Sequence, residues 1–285
     1  MKEIKINSYS KINLILQVLD KREDGYHNIE SIMQSVNLAD EVIIRERKEG
    51  IRIDCDHHNV PTNLESLAYR TAKDILDKCG TKKGINIKIN KNIPLGSGMA
   101  GGSTNSAAIL AGINKIYNFG LDDEGLRKMG SKLGMDIPFF IQNGTALAYH
   151  KGEKVTHFSS IEPPLWLVII NPEFEISTKW AYQNLDLKKD EYNRNNTTDM
   201  ISSLKTGRPE DIAKYLYNSF EKSIIKNYPE IGKIKERLIR EGALGALMSG
   251  SGPTVFGIAK NQKEAFKIYK KVKPEYKLAW VVHTI

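Results

Sequence analysis

The stretch of sequence that decides the fold runs from residue 85 to residue 117 and reads INIKINKNIPLGSGMAGGSTNSAAILAGINKIY. Its first part, residues 85–90, alternates apolar and polar residues and predicts a strand with one buried face. Its last part, residues 107–117, is rich in small and apolar residues and predicts a helix. Between them lies a first glycine loop, residues 94–104, which we expect to continue to Thr104 before the helix begins. Such a loop lets the backbone approach a ligand, and the N–H groups at a helix start bind phosphate.

We compare the first glycine loop with two known phosphate-binding patterns. A Walker A loop needs a lysine after its last glycine, and this loop has none. Residues 96–101 do match the dinucleotide pattern G-x-G-x-x-G, with Asp122 and Asp123 at about the expected distance. The strand before the loop is half polar, however, whereas the first strand of a doubly wound sheet is mostly apolar. The sequence therefore favours another kind of phosphate loop, and a flexible turn with an ordinary helix cap is the remaining alternative.

A second glycine loop, residues 248–254, reads MSGSGPT and leads into a predicted strand. Two such loops can face each other across a cleft, one holding a nucleotide and the other a phosphorylated substrate. The alternative is a tight turn between two strands, where glycine serves the turn geometry alone.

The rest of the chain mixes strand and helix patterns, which predicts an α+β fold. Helical spacing follows a capping-box pattern at residues 62–65, and this predicts a helix from Leu64 to Cys79. Residues 260–277 predict an amphipathic helix. Its basic face is solvated, and its other face carries Ala265, Phe266 and three other apolar residues. We expect two domains, residues 1–160 and 161–285, and a long polar loop at residues 188–199. Further strands are predicted at 4–6, 12–18, 42–44, 51–53, 165–170, 254–259 and 278–284, and further helices at 211–217 and 229–241.

Composition narrows the class of protein. The chain has 285 residues, is 40% hydrophobic and has a net charge of 42 − 34 = +8. Its two cysteines cannot form a disulfide framework, and without a signal-peptide pattern they predict reduced thiols in the cytoplasm. No apolar run is long enough to span a membrane. The positive charge favours anionic partners but does not distinguish nucleic acid from a nucleotide or a phosphorylated metabolite.

Lys11 and Asp136 are candidate catalytic residues. Lys11 lies in a predicted strand, where a lysine is usually an exposed edge residue. Asp136 precedes Ile137 and Pro138, so a helix N-cap is an equally good interpretation. In the functional interpretation the carboxylate accepts a proton from a substrate hydroxyl, and a nearby lysine keeps it ionised and steadies the transferred phosphoryl group.

Two further segments carry polar or aromatic groups. Asp24 to His27 offers an aromatic face and a ring donor and acceptor, although Asp-Gly is also a strong turn dipeptide. Residues 55–58, CDHH, suggest metal ligation, but the chain offers no second ligand cluster and a loop is favoured.

Together, several of these segments resemble the GHMP small-molecule kinases. In family order they are residues 8–14 (SYSKINL), 22–27 (REDGYH), the first glycine loop, 133–140 (LGMDIPFF) and 249–256 (SGSGPTVF). The resemblance implies an N-terminal domain like the second domain of ribosomal protein S5 and a ferredoxin-like C-terminal domain, with the active site between them. It implies ATP-dependent phosphorylation of the 2-hydroxyl of a cytidine diphosphate ester of methylerythritol, in the non-mevalonate route to isoprenoid precursors.

The resemblance also assigns residues to roles. It implies that Asp136 and Lys11 are catalytic and that Asn63 and Lys91 wall the adenine pocket. Mg²⁺ accompanies ATP, with Ser103 or Thr104 as a possible ligand. The substrate is contacted by Asn13, Tyr26, His27, Gly250 and Gly252. The ATP phosphates lie in the loop formed by Pro94, Leu95, Gly96, Ser97, Gly98, Met99, Ala100, Gly101, Gly102, Ser103 and Thr104.

The chain departs from the family pattern at a few positions. The family loop usually runs G-x-G-L-G-G-G-S-S, whereas this chain has Met99 and Ala100 for Leu-Gly, and Thr104 for the second Ser. From the alanine we expect that position 100 does not need a positive φ. Residues 218–221, NSFE, resemble the family's N-D-L-E without its Asp.

Three alternatives remain open at this point. The first is a GHMP kinase acting on another alcohol of the homoserine or mevalonate type, although such a substrate gives no reason for the D-G-Y-H segment. The second is a dinucleotide oxidoreductase, which rests on the G-x-G-x-x-G match. The third, a nucleic-acid-binding protein, rests on the basic charge alone. ATP and a cytidine diphosphate ester are sufficient anionic partners, so neither nucleic acid nor membrane is expected, and monomer and homodimer remain equally open.

Overall fold

In the computed structural model, residues 2–185 and 195–285 are described. The strands are β1 (Glu3–Lys21), β2 (His27–Arg47), β3 (Ile51–Cys55), β4 (Gly84–Asn90), β5 (Thr145–His150), β6 (Lys154–Phe158), β7 (Trp166–Asn171), β8 (Tyr217–Asn218), β9 (Gly245–Met248), β10 (Val255–Ala259) and β11 (Leu278–His283). The helices are α1 (Leu67–Lys78), α2 (Gly101–Tyr117), α3 (Asp123–Leu133), α4 (Ile137–Phe140), α5 (Thr178–Gln183), α6 (Asn195–Leu204), α7 (Pro209–Lys214), α8 (Glu221–Asn227), α9 (Pro229–Arg240) and α10 (Gln262–Val272).

The chain forms two compact units, and each is built from separate stretches of sequence. The first unit comprises Met1–Ser10, Leu38–Ile93 and Ala100–Asn143. The second comprises Lys11–Asn37, Pro94–Met99 and Gly144–Ile285. The long strands β1 and β2 therefore contribute residues to both units, and the first glycine loop does so as well.

In the first unit, β3, β4, β2 and β1 lie side by side in that order. β4 is parallel to β3 and antiparallel to β2, with Ile87 opposite Ile44. This antiparallel pairing differs from the parallel sheet that a dinucleotide-binding fold requires. Helix α2 lies close to β2, because a Cβ built on Gly112 would stand 2.3 Å from Cδ1 of Ile44. The helix that follows the first glycine loop is thus fixed by a completely buried apolar core.

In the second unit, a four-stranded antiparallel sheet has the order β11-β7-β10-β9. This strand order, with helices between the strands, agrees with the ferredoxin-like domain that the family resemblance implied. A second group of strands in this unit has the order β6-β5-β2-β1-β8. The apolar core includes Val168, Phe220, Ile234, Leu238 and Ile268, all at most 1% exposed. Burial of each such side chain contributes about 1.5–3 kcal/mol.

Most predicted elements are confirmed, and several bounds are corrected. Residues 4–6 and 12–18 belong to the single strand β1. Helix α1 begins at Leu67 rather than Leu64, because the side chain of Ser66 accepts a hydrogen bond from the backbone N–H of Tyr69. Asn63 instead closes a local turn by accepting from the N–H of Glu65.

Four other predictions were wrong in part. The helix predicted at 211–217 ends at Lys214, and Tyr217 belongs to β8. Helix α2 already begins at Gly101, so residues 101–106 are helical rather than loop. The predicted loop at 188–199 ends earlier, because Asn195–Leu204 forms α6, while residues 188–194 lie outside the described residues. In α10, Ala265, Ile268 and Val272 are buried as predicted, but Phe266 is 44% exposed, and the helix ends at Val272.

The structure describes both cysteines and the helices that could be examined as membrane spans. Cys55 and Cys79 are free thiols, and partial burial raises the pKa of both. Within residues 2–185 and 195–285, no helix combines the length and apolar character needed to cross a membrane.

Candidate active site

Lys11 lies in the part of β1 that belongs to the second unit, and only 4% of it is exposed. Because β1 lies between β2 and β8, the prediction of an exposed edge lysine is wrong. Its Nζ donates to Oδ1 of Asn13 at 2.6 Å and to the carbonyl oxygen of Gly98 at 3.0 Å. Asn13 is itself held, since its Nδ2 donates to Oγ of Ser31 at 2.7 Å. A buried ammonium group is therefore fixed against the first glycine loop.

The second-unit part of the first glycine loop, Pro94–Met99, contains two glycines with positive φ, Gly96 at 55° and Gly98 at 75°. A Cβ on Gly98 would lie 2.2 Å from the carbonyl oxygen of Ser249, so a side chain is excluded there by space as well as by conformation. Met99 is completely buried and anchors the end of this segment. The glycine pattern at this position thus reflects a close approach of two backbones.

The second glycine loop connects β9 to β10 and contacts the first loop within the second unit. Oγ of Ser249 donates to the carbonyl oxygen of Gly98 at 3.1 Å, and the N–H of Thr254 donates to the carbonyl oxygen of Ser97 at 3.3 Å. A Cβ on Gly250, whose φ is 59°, would lie 2.8 Å from the same Gly98 oxygen. The two loops therefore contact each other, so this is more than an isolated strand turn.

Residues 218–221 fix the second glycine loop by hydrogen bonds to its backbone. Nδ2 of Asn218 donates to the carbonyl oxygens of Met248 and Gly250, both at 2.8 Å. Oε1 of Glu221 accepts from the N–H of Met248 at 3.0 Å, and its Oε2 forms an ion pair with Lys235. In this chain, the Asn and Glu of the family's N-D-L-E pattern therefore fix the backbone of the second glycine loop.

Helix α2 begins within the first glycine loop and belongs to the first unit. Its first intrahelical bond runs from the N–H of Thr104 to the carbonyl oxygen of Ala100 at 3.0 Å. The N–H groups of Gly101, Gly102 and Ser103 therefore have no carbonyl partner within the helix, which is the usual basis of phosphate binding. Thr104 is buried and contacts Ser8, whereas Ser103 is half-buried.

Ala100 corrects an expectation from the sequence. Its φ is 58° and its ψ is 36°, so this non-glycine residue adopts the left-handed conformation immediately before α2. The family's glycine at this position matches that conformation without strain, whereas an alanine Cβ is disfavoured in it.

A buried ion pair joins Lys91 to Asp40 in the first unit, with side-chain exposures of 4% and 0%. The other oxygen of Asp40 accepts from the backbone N–H groups of Asn92 and Ile93, at 2.7 and 2.8 Å. Lys91 Nζ would lie 3.1 Å from a Cβ on Gly101, so this pair stands beside the start of α2. Asn63, the other predicted adenine-pocket residue, is exposed.

Asp136 is partly buried in the first unit, immediately before α4. Asp136 is the N-cap residue of α4, and a proline lies at the start of the helix as predicted, but the aspartate side chain makes no capping hydrogen bond. Pro138 and Ile137 fix the short helix instead, and Ile137 packs on Gly130, where a Cβ would be 2.5 Å from Cγ2 of Ile137. The carboxylate is therefore not used to cap this helix.

Tyr26 and His27 lie at the start of β2 in the second unit, next to other rings and a cation. Tyr26 is 51% exposed, and Nζ of Lys151 lies 4.9 Å from its ring centroid. His27 stacks on Tyr182 with ring centroids 4.8 Å apart. Burial, and to a smaller extent Lys21, lowers the pKa of His27, while Asp20 opposes the shift. His27 is therefore a neutral donor and acceptor at pH 7.

Sequence reasoning missed several residues of this region. Asp40 and Tyr182 carry no motif of their own, and Ser249 was quoted only as part of the second glycine loop. Each becomes informative only through a contact distant in sequence. For Asp40 the signal was present, since it alternates with Leu38 and Val42 on one face of a strand, and an aspartate on such a face is rarely buried without a partner. Asn218 and Glu221 were noticed only as a departure from the family pattern.

Comparison with known proteins gives the family. The model of the GHMP kinases N terminal domain matches residues 66–144, and the GHMP kinases C terminal model matches residues 200–278. The chain is 40% identical over 285 residues to the 4-diphosphocytidyl-2-C-methyl-D-erythritol kinase of Alkaliphilus metalliredigens, covering 100% of this chain and 97% of that protein. The domain boundary near residue 160 stays a prediction.

Solved structures agree. A crystal structure of 4-(cytidine 5'-diphospho)-2C-methyl-D-erythritol kinase has a TM-score of 0.84 and 28% identity, covering 99% of each chain. A homoserine kinase from Cytophaga hutchinsonii has a TM-score of 0.80 at 22% identity, covering 100% of this chain and 95% of its own, which shows a shared fold alone. With an α+β fold, two contacting glycine loops, two matching domain models and a full-length relative at 40% identity, the chain belongs to the GHMP kinase family.

Proposed function

We propose that this GHMP kinase transfers the γ-phosphoryl group of ATP to the 2-hydroxyl of 4-diphosphocytidyl-2-C-methyl-D-erythritol. The main support for this substrate is the name carried by the full-length relative at 40% identity. The main structural support is the buried ammonium of Lys11, which is fixed against the carbonyl oxygen of Gly98 in the first glycine loop. A cytoplasmic location goes with this proposal, because ATP is the phosphoryl donor.

The nucleotide is proposed to bind to residues 94–104. The N–H groups of Gly101, Gly102 and Ser103 at the start of the 17-residue helix α2 provide donors and a positive dipole end for the phosphates. Lys91, fixed by Asp40, adds a cation beside this helix start. Asn63 and Lys91 are assigned to the adenine pocket by the family resemblance.

The transfer itself needs a proton acceptor and a stabilised phosphoryl group. The substrate oxygen forms a bond to the γ-phosphorus, its proton passes to the carboxylate of Asp136, and the bond between the γ-phosphorus and the bridging oxygen of ADP breaks. Lys11 stabilises the charge on the moving phosphoryl group. Such a reaction depends mainly on positioning and on fixed charges.

The cytidine diphosphate ester is assigned to residues of the second unit. Tyr26 offers an exposed ring face, and His27 offers ring nitrogens that are neutral at pH 7. Gly250 and Gly252, both buried in the second glycine loop, are assigned to the diphosphate by the family resemblance alone. Asn13, which accepts from Lys11, is assigned to the reacting end.

The residues fit a Mg²⁺ ion that arrives with the nucleotide. In the described part of the chain no group of three or more His, Cys, Asp or Glu residues forms a metal site. Mg²⁺ usually keeps several waters and binds phosphates with one or two protein ligands. Ser103 is the better ligand than Thr104, because the hydroxyl of Thr104 is buried against Ser8. Mg²⁺ would neutralise charge on the phosphates.

A panel of alcohols tests the substrate assignment. Labelled ATP is offered with the cytidylyl methylerythritol, with homoserine and with mevalonate, each alone and in equal mixture. We expect transfer to the cytidylyl alcohol to have a kcat/KM at least 100-fold above either rival, about the 2.7 kcal/mol that a few specific contacts supply. Preferred transfer to homoserine or mevalonate would show that the substrate is wrong while the kinase assignment holds.

A further inference from the structure

We propose that Ser249 is a positioning residue for Lys11, and that it acts through the carbonyl oxygen of Gly98. This deepens the function proposed above and rests on Lys11 being used in phosphoryl transfer. Ser249 lies in the second glycine loop and is completely buried. The family resemblance assigns roles to Gly250 and Gly252 of this loop but none to Ser249.

Lys11 and Ser249 share one hydrogen-bond acceptor, the carbonyl oxygen of Gly98. The carbonyl oxygen of Gly98 accepts hydrogen bonds from Nζ of Lys11 at 3.0 Å and from Oγ of Ser249 at 3.1 Å. A carbonyl oxygen has two lone pairs, so both donors can be accepted at once. The N–H of the same peptide unit, which belongs to Met99, points to Oγ of Ser97 at 3.4 Å. This peptide unit is therefore held at both of its ends.

The backbone at Gly98 has unusual conformational freedom. Gly98 has a φ of 75°, and glycine has more accessible conformations than any other residue. A glycine peptide without a fixed partner can rotate and carry its carbonyl oxygen away from Lys11. The hydroxyl of Ser249 restricts this rotation, because it donates to the same carbonyl oxygen as Lys11.

Ser249 is itself fixed by hydrogen bonds of the neighbouring backbone. Nδ2 of Asn218 donates to the carbonyl oxygens of Met248 and Gly250, one on each side of Ser249. The N–H of Ser249 donates to the carbonyl oxygen of Thr254 at 2.8 Å. Ser249 is thus a rigid donor rather than a mobile loop residue, and the position of the ammonium depends on the second glycine loop.

The test combines a substrate-free signal with kinetics. The ¹H–¹⁵N signal of the Lys11 ammonium, identified by its loss in Lys11→Arg, is recorded in the wild type, in Ser249→Ala and in Ser203→Ala. Ser203 is the matched control, because it is also buried and its hydroxyl donates to a carbonyl oxygen, that of Met200 at 2.8 Å. We expect the signal to shift or broaden in Ser249→Ala and to stay unchanged in Ser203→Ala.

The kinetic arm uses a double-mutant cycle. Loss of one such hydrogen bond should lower kcat about tenfold in Ser249→Ala, with both KM values changed by less than about twofold. In a Lys11→Ala background, Ser249→Ala should cause no further fall, whereas a purely structural defect would lower both backgrounds equally. Thermal unfolding of each variant confirms that the protein compared is folded.

The outcomes separate the two proposals. An unchanged ammonium signal in Ser249→Ala, or an equal kinetic loss in both backgrounds, would overturn the positioning role. If the wild type does not phosphorylate the cytidylyl alcohol, the proposed substrate is wrong, but the ammonium signal still decides whether Ser249 positions Lys11.

Discussion

At the scale of single residues, Asp40 shows how one buried carboxylate organises several partners. It pairs with Lys91 and accepts from two backbone N–H groups, and both charged side chains are at most 4% exposed. Loss of one partner from such a pair leaves a buried charge without compensation. Asp40 is therefore expected to matter for stability as well as for the position of Lys91.

The substitution Asp40→Asn tests this expectation. We expect the free energy of unfolding to fall by about 3 kcal/mol, because the ammonium of Lys91 stays buried without its counter-charge. The KM for ATP should rise in parallel. Urea unfolding and initial-rate kinetics measure the two effects. The control is Asp77→Asn, which breaks the exposed pair with Lys73 and should cost less than about 0.5 kcal/mol. Equal losses in the two variants would contradict the importance of burial.

His27 gives a prediction about pH. Its pKa in the folded protein lies below the ordinary value of 6.5, chiefly because of burial. As the pH falls through 6.5, the unfolded chain binds a proton that the folded chain does not, so stability present above that pH is progressively lost. The free energy of unfolding of the wild type should therefore fall more steeply between pH 7 and pH 5 than that of His27→Asn. Parallel profiles for the two proteins would contradict the lowered pKa.

At the scale of elements, the segment from β4 to α2 explains how far the sequence could be interpreted. The strand, the glycine loop and the helix were predicted in order, because hydrophobic periodicity and glycine content are local signals. The start of α2 was placed too late, since six small residues give little helix signal by themselves. Packing decides this start, as Gly112 brings α2 close to Ile44 of β2. A tertiary contact of this kind is not visible in local sequence.

Ala100 provides the prediction at this scale. Its left-handed conformation costs about 1–2 kcal/mol relative to a right-handed one. Ala100→Gly relieves that cost but adds freedom to the unfolded chain, so we expect a net gain of about 0.5 kcal/mol in the free energy of unfolding. Ala107→Gly, inside the helix α2 that follows Ala100, should instead cost about 1 kcal/mol. Urea unfolding of both variants measures the difference, and a loss of stability in Ala100→Gly would contradict the assigned backbone conformation.

At the scale of the whole molecule, the candidate site was only partly predictable from the sequence. Lys11, Asn13 and the two glycine loops were identified from motifs, and Lys11 and Ser249 both contact Gly98 within the second unit. What the sequence could not show is that the compact units interleave along the chain, so that residues 11 and 98 pack with residue 249. Such packing depends on strand pairing over long sequence separations, which no local pattern encodes.

The net charge of +8 now has a simpler interpretation. Many of the basic residues lie on exposed faces, for example in α10, where Lys267 pairs with Glu264. The cations that bear on the proposed chemistry are few and buried, namely Lys11 and Lys91. Two small polyanions are therefore sufficient partners for this chain, and no feature of the described residues requires nucleic acid.

The position of the new phosphate on the methylerythritol decides whether this chain phosphorylates the 2-hydroxyl. The enzyme is incubated with ATP and the cytidylyl methylerythritol, and the product is examined by ³¹P NMR. Carbon 2 carries the methyl group and no hydrogen, so a phosphate on the 2-hydroxyl should give a new monoester signal without coupling to a carbinol proton, while the diphosphate signals remain. Asp136→Asn, with its fold intact, should form this product at least 100-fold more slowly, because the proton acceptor is lost. A monoester signal coupled to a carbinol proton, or no transfer to this alcohol at all, would contradict the account.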